Sequence, residues 1–123
     1  IWVYQVDAEE IWCFGERPYI QHVIAGEDLL NSLWYAWHWC VAATHTGVGI
    51  LVSDIQRDSL DLPLRDYVPM TIEEEIISYS DLFYTKMPDK YWTKNTPDRI
   101  AKSLEKHGND KVEKFWEWHE KYA

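Results

Sequence analysis

Basic residues are scarce in this chain. Its 123 residues hold 12 lysines and arginines against 21 aspartates and glutamates, a formal net charge of −9. Nucleic acids and anionic membranes are gripped by basic patches, so this balance argues against both and favours a neutral or cationic partner. Cysteine is nearly absent, with only Cys13 and Cys40. Two cysteines make no disulfide framework, and a reducing, cytoplasmic-type soluble setting is the expectation. No apolar run approaches the roughly 20 residues that cross a bilayer. The opening Ile1-Trp-Val-Tyr-Gln-Val-Asp7 lacks the basic n-region of a signal peptide. No strand pair alternates convincingly, and no internal repeat or low-complexity tract is present. What remains is a globular composition, 46% hydrophobic and 27% charged. It fits one all-α domain over residues 1–123.

Tryptophan stands out, with eight in the chain. Each buried aromatic removes roughly 150–250 Å² from water, worth about 4–6 kcal/mol before entropy. A few such residues anchor a core; eight suggest that some serve an interface. The densest stretch is 33–50, where Trp34, Tyr35, Trp37 and Trp39 crowd together. On a helix over 35–45, Trp37 and Trp39 would point about 160° apart. Trp39 is then expected in the core, with Trp34, Tyr35 and Trp37 sharing a surface. The stretch ends in His45-Thr-Gly-Val-Gly-Ile50. This puts an imidazole at a helix end beside permissive backbone, an arrangement suited to a site.

The remaining signals read as an irregular helical bundle. Residues 1–15 are irregular. Pro18 opens a helix over 19–33. A short helix over 53–60 takes Ser53 or Asp54 as its cap. Thr71-Ile-Glu-Glu74 is a capping box that starts a helix running to about residue 86. Its expected core stripe is Ile72, Ile76, Tyr79 and Phe83. A polar loop over 87–95 includes an exposed-looking Tyr91-Trp92 pair. Thr96 and Pro97 open a helix that buries Ile100, Ala101 and Leu104 and stops at Gly108. Asn109 caps a last helix whose apolar face is Val112, Phe115, His119 and Tyr122.

Several motifs together carry a resemblance. They are Cys13-Phe-Gly-Glu-Arg-Pro-Tyr-Ile-Gln-His22, Gly26-Glu-Asp-Leu-Leu30, His45-Thr-Gly-Val-Gly-Ile50, Leu62-Pro-Leu-Arg-Asp-Tyr-Val-Pro69 and Thr71-Ile-Glu-Glu-Glu-Ile-Ile-Ser-Tyr-Ser-Asp81. In order and spacing they resemble the HD-domain metal-dependent phosphohydrolases of the HDIG type, over nearly the whole chain. The resemblance implies an HD-like helical bundle, with His22, His45 and Asp81 at positions of metal ligands or site histidines. Imidazole and carboxylate suit a divalent transition metal. The family's first ligand histidine and its adjacent His-Asp pair lie on helices upstream of the segment matched here, and this chain contains no His-Asp dipeptide. The family's N-terminal part is therefore expected to be missing. Ala43-Thr44 replaces a frequent Glu-Arg, and Ser80-Asp81-Leu82 replaces Ala-Asp-Lys. The expectation is a remnant metal site that holds at most a weakly bound divalent ion, with no catalytic residue assigned.

Other catalytic patterns have simpler readings. Gly47-x-Gly49 lacks the strand–loop–helix setting of a phosphate loop. Cys40 reads as a structural cysteine, and Glu73–Glu75 as acids favoured in a first helical turn. Ser53, Asp54 and His45 have no spacing that marks a triad. Where the family tends to carry glycine, charge or small residues, this chain carries Trp2, Trp12, Trp34, Trp37 and Trp39. That is the pattern of an engineered binding surface. The functional expectation is a protein-binding module on an HD scaffold, engaging a protein partner or a second copy through Trp34, Tyr35 and Trp37. The alternative is a metal-dependent phosphohydrolase of the family, or an inactive fragment of one.

Overall fold

The computed structural model describes residues 18–35, 37–84, 90 and 92–123. The expectations for residues 1–15, for Ala36, and for residues 87–89 and 91 of the loop over 87–95 lie outside the described residues. Within them the chain is all helical, as expected, and forms an irregular bundle. A 3-10 turn, Tyr19–Gln21, follows Pro18 and runs into α1, His22–Ser32. Next come α2 (His38–Thr44), α3 (Val52–Asp58) and α4 (Ile72–Asp81). The chain ends with α5 (Pro97–Leu104), a 3-10 turn at Glu105–His107, and α6 (Asn109–Tyr122). Extended pairing among the described residues is limited to one antiparallel bridge between Ile50 and Tyr67.

Local signals explain most boundaries. Thr71 Oγ1 accepts the Glu74 N–H at 3.3 Å, and Glu74 Oε2 accepts the Thr71 N–H at 2.8 Å, which closes the capping box. Thr96 caps α5 ahead of Pro97, and its Oγ1 accepts the Arg99 N–H. Asp54 is the third residue of α3 rather than its cap, yet its Oδ2 still accepts the Leu51 N–H at 2.9 Å. Asn109 is the first helical residue of α6, behind Gly108.

The expected helix over 35–45 is shorter, and the cause lies at Trp34. The Trp34 backbone is left-handed, with φ at 60°. The Trp34 N–H donates to the Asn31 carbonyl and the Tyr35 N–H to the Leu30 carbonyl, both at 3.1 Å. This pair of bonds is the Schellman ending of a helix. It terminates α1 and turns the chain before α2 begins at His38. Trp37 is then the residue before the helix, so a helical wheel does not govern its direction. Trp39 is half-buried and belongs to neither core.

Two cores share the interior. One gathers Val23, Ala43, Ile50, Ile55, Leu62 and Tyr67. The other is built on Val48, Tyr79, Phe83, Leu104, Phe115 and Trp118 with their neighbours. Val48 and Ile50 lie two residues apart on the turn after His45, and each enters a different core.

Helix α4 also departs from expectation. It ends at Asp81, and Ile72, Ile76 and Ile77 are solvent-exposed while Glu74, Ser78 and Tyr79 are buried with Phe83. The reason is polar. Thr44, at the end of α2, shares its one hydroxyl hydrogen between the Cys40 carbonyl at 2.8 Å and Glu74 Oε1 at 3.2 Å. Its carbonyl accepts the Ser78 hydroxyl at 3.3 Å. Buried polar groups that find partners cost little, so this face turns inward and the isoleucines turn out.

Candidate metal centre and the neighbouring cleft

His22 and His45 are brought together from two helices. His22 begins α1, where the 3-10 turn places its ring against the Tyr19 ring, with centroids 4.6 Å apart. His45 caps the C-terminus of α2. The two helices pack closely because Gly26 has no side chain; a Cβ there would stand 3.2 Å from the Cβ of Ala42. Across this contact His22 Nε2 lies 3.2 Å from His45 Nε2, with the rings edge to face.

The other ring nitrogens settle the tautomers. His22 Nδ1 is 2.7 Å from the Tyr19 carbonyl, and His45 Nδ1 is 2.8 Å from the Ala42 carbonyl. A carbonyl only accepts, so both Nδ1 atoms carry the hydrogen. The 3.2 Å contact between the Nε2 atoms is then a hydrogen bond when one of the two rings is protonated, and a pair of neighbouring lone pairs when both are neutral.

Asp81 is the last residue of α4 and half-buried. It stands three residues beyond Ser78, whose hydroxyl contacts the Thr44 carbonyl next to His45. Among the described residues, no group of three or more His, Cys, Asp or Glu side chains is arranged to hold a metal ion. The structure thus joins His22 and His45 and does not add Asp81 to them.

The turn that follows His45 is held in place from behind. Gly49 has φ at 101°, and a Cβ there would meet Val68 at 2.8 Å, so glycine is required. The Ile50 and Tyr67 N–H groups donate to one another's carbonyls at 2.9 and 2.7 Å.

Trp34, Tyr35 and Trp37 are each solvent-exposed. Trp34 is 91% and Trp37 83% exposed, with Leu33 and Tyr35 about half exposed. Trp37 and Trp39 also line a cleft of about 640 Å³ between α2 and the segment 65–74. Its far wall carries Arg65, Asp66, Tyr67, Val68 and Met70.

No family model matches the chain. A tRNA (cytidine(56)-2'-O)-methyltransferase of Picrophilus torridus is 33% identical over 97 residues, covering 72% of this chain. An uncharacterized protein of Methanocaldococcus jannaschii is 34% identical over 70 residues, covering 54% of this chain. The chain spans only 28% and 40% of the lengths of these two relatives. No solved structure matches.

Sequence reasoning missed the groups that control the site. The carbonyls of Tyr19 and Ala42 orient the two rings, and Glu74 anchors the end of α2 through Thr44. The first two are backbone atoms, which no side-chain pattern reveals. The cleft was missed because the wheel assigned Trp37 and Trp39 to opposite sides.

Proposed function

We propose that the chain is an HD-type helical domain in which His22 and His45 form the heart of a divalent transition-metal site, and that it acts as a metal-dependent phosphohydrolase. The supporting observation is the state of the two rings. Two neutral rings whose Nε2 atoms stand 3.2 Å apart are stabilised by a proton shared between them or by a metal ion that both lone pairs reach. Two imidazoles at roughly 2.1 Å from one tetrahedral ion stand about 3.4 Å apart, close to the spacing of the two Nε2 atoms. Carbonyls that accept the opposite N–H are the usual partners that orient histidine ligands. His22 and His45 would hold the ion; Asp81, the carboxylate that the resemblance implies, is not grouped with them among the described residues. Such an ion supplies Lewis acidity to a phosphoryl oxygen. The chain's own contribution is to fix both rings, through Tyr19 and Ala42, and to allow the close helix contact at Gly26.

The longer relatives suggest a setting for this unit. A net charge of −9 leaves little to grip tRNA phosphates. The stretch shared with the tRNA methyltransferase therefore reads as a helical unit that works beside other parts of a longer protein.

The test is a cobalt(II) titration of the folded chain followed by absorption spectroscopy. Uptake of about one ion per chain is expected, lost in His22→Ala and in His45→Ala. Metal-dependent hydrolysis of a phosphomonoester such as p-nitrophenyl phosphate should disappear in the same variants. A folded wild-type chain that takes up no metal overturns the reading.

A second reading keeps the interaction module, because Trp34, Tyr35 and Trp37 are all exposed in the stretch between two helices. Hot-spot aromatics commonly cost 2 kcal/mol or more when truncated, roughly a thirtyfold loss in affinity. Sedimentation of wild type and Trp37→Ala over a concentration series checks it. A chain that is monomeric throughout, with no change in the variant, removes self-association as its role.

A further inference from the structure

The cleft between α2 and the segment 65–74 has a composition of its own. At about 640 Å³ it is within the range of small-molecule sites. Trp37 and Trp39 line one side, and Met70 lies opposite. Four carboxylates, Glu27, Asp66, Glu73 and Glu74, border it against a single cation, Arg65. That cation is already engaged. Its guanidinium pairs with Glu27 and lies over the Tyr67 ring at 4.6 Å. Glu74 is buried and answered by dipoles alone: the Thr44 hydroxyl and the N–H groups of Met70 and Thr71. The cleft is left with an excess of negative charge beside two indole rings. The Cys40 thiol on its wall senses this field. Burial pushes its pKa up, and the charges of Glu74 and Glu27 push it further.

We propose that this cleft binds a small organic cation, a protonated or quaternary amine carried on an apolar body. Trp37 and Trp39 offer ring faces to the cation, and the carboxylates supply the complementary charge. An anion is repelled by the same wall. A neutral apolar molecule gains the rings and leaves the carboxylates unanswered. The inference does not rest on the histidine pair, since neither histidine lines the cleft.

The experiment is isothermal titration calorimetry with phenyltrimethylammonium, and with tert-butylbenzene, which has the same shape and no charge. EDTA is present throughout, so a metal at the histidines plays no part. Saturable binding of the cation is expected, at least about tenfold tighter than the neutral isostere, and weaker as salt is raised. Trp37→Ala should weaken it about tenfold or more, and Trp37→Phe, which keeps a ring, should restore most of it. Trp37 is exposed, so a thermal melt should match wild type. Should Trp37→Ala melt early, Trp37→Phe and the charge comparison on the wild-type chain decide. Equal affinity for the two probes, or no saturable binding of the cation, overturns the proposal. A Trp37→Ala chain that is folded and binds like wild type overturns it equally.

Discussion

Lys111 and Asp54 form a buried ion pair, with Lys111 Nζ 2.5 Å from Asp54 Oδ2. Both residues are less than a tenth exposed. Lys111 Nζ also donates to the Gly49 carbonyl at 3.0 Å. One ammonium thus ties α6 to α3 and to the turn that follows His45. Asp54 Oδ2 accepts the Leu51 N–H in addition, so the carboxylate fixes the start of α3 at the same time.

Removing Lys111 leaves the buried Asp54 carboxylate with the half-exposed Arg57, 3.2 Å from its Oδ1, and the Leu51 N–H, so the loss falls short of the roughly 3–5 kcal/mol that a fully unanswered buried charge costs. Lys111→Met should destabilise the chain by about 2–3 kcal/mol. Urea melts at neutral pH check it. A loss below about 1 kcal/mol would mean that Asp54 reaches water and the pair is in effect a surface one.

Acid should weaken the fold in a defined window. Burial raises the Asp54 carboxyl, but the Lys111 hydrogen bond, the Leu51 N–H and the charges of Lys111 and Arg57 outweigh it and hold it below its ordinary 3.8. Hydrogen bonds from Lys121 and Tyr122 hold Glu75 below 4.5. A carboxyl whose folded pKa is depressed adds stability above its unfolded value and loses it as pH falls through the folded one. Stability should therefore be level from neutral pH down to about 5 and then fall steadily below about 4.5. Glu75→Gln should be less stable than wild type at pH 7 and lose less on going to pH 3. Parallel acid limbs for the two proteins would show that the Glu75 contacts contribute nothing.

Trp34 holds a left-handed backbone that costs a non-glycine residue roughly 1–2 kcal/mol. Its indole is almost fully exposed and returns little by burial. Trp34→Gly should therefore stabilise the chain by about 1 kcal/mol after glycine's own entropy cost. If the aromatic surface mediates self-association, the same change weakens it. A variant with a higher melting temperature and a lower sedimentation coefficient would separate the two roles of this residue.

The cores rank a fourth set of changes. Phe115 is fully buried, and Phe115→Ala should cost about 3–5 kcal/mol. Thr71→Ala loses a helix cap and should cost about 1 kcal/mol. Ile76→Ala, expected from the helical wheel to empty the core, should cost no more than Thr71→Ala, because Ile76 is 42% exposed. Denaturant midpoints of the three variants give the order directly, and Ile76→Ala in first place would reverse the orientation of α4.

Helix boundaries were legible wherever the signal is local. Thr71, Thr96 with Pro97, and Gly108 act on their own neighbours, and the structure places them as read. Orientation was legible only where apolar residues face apolar residues, as in α5. On α4 the buried face is polar because Thr44 arrives from another helix, and no pattern within 71–86 carries that information. Trp34 hid a helix end that glycine would have announced. At the site, His22 and His45 were recognisable as residue types at matching positions. Their contact depends on Gly26, and their ring states on two carbonyls, both of which are tertiary facts.

The turn between Gly47 and Ile50 drops Val48 into one core and Ile50 into the other. Neither core can loosen without tugging a residue of this turn, so the two should come apart as one event. The Ile50 amide, bonded to Tyr67 and seated between them, should then trade its hydrogen for deuterium only when the whole chain opens. Its exchange would run on the slowest clock in the molecule, while amides of the exposed α1–α2 connection a few turns away refresh many times over.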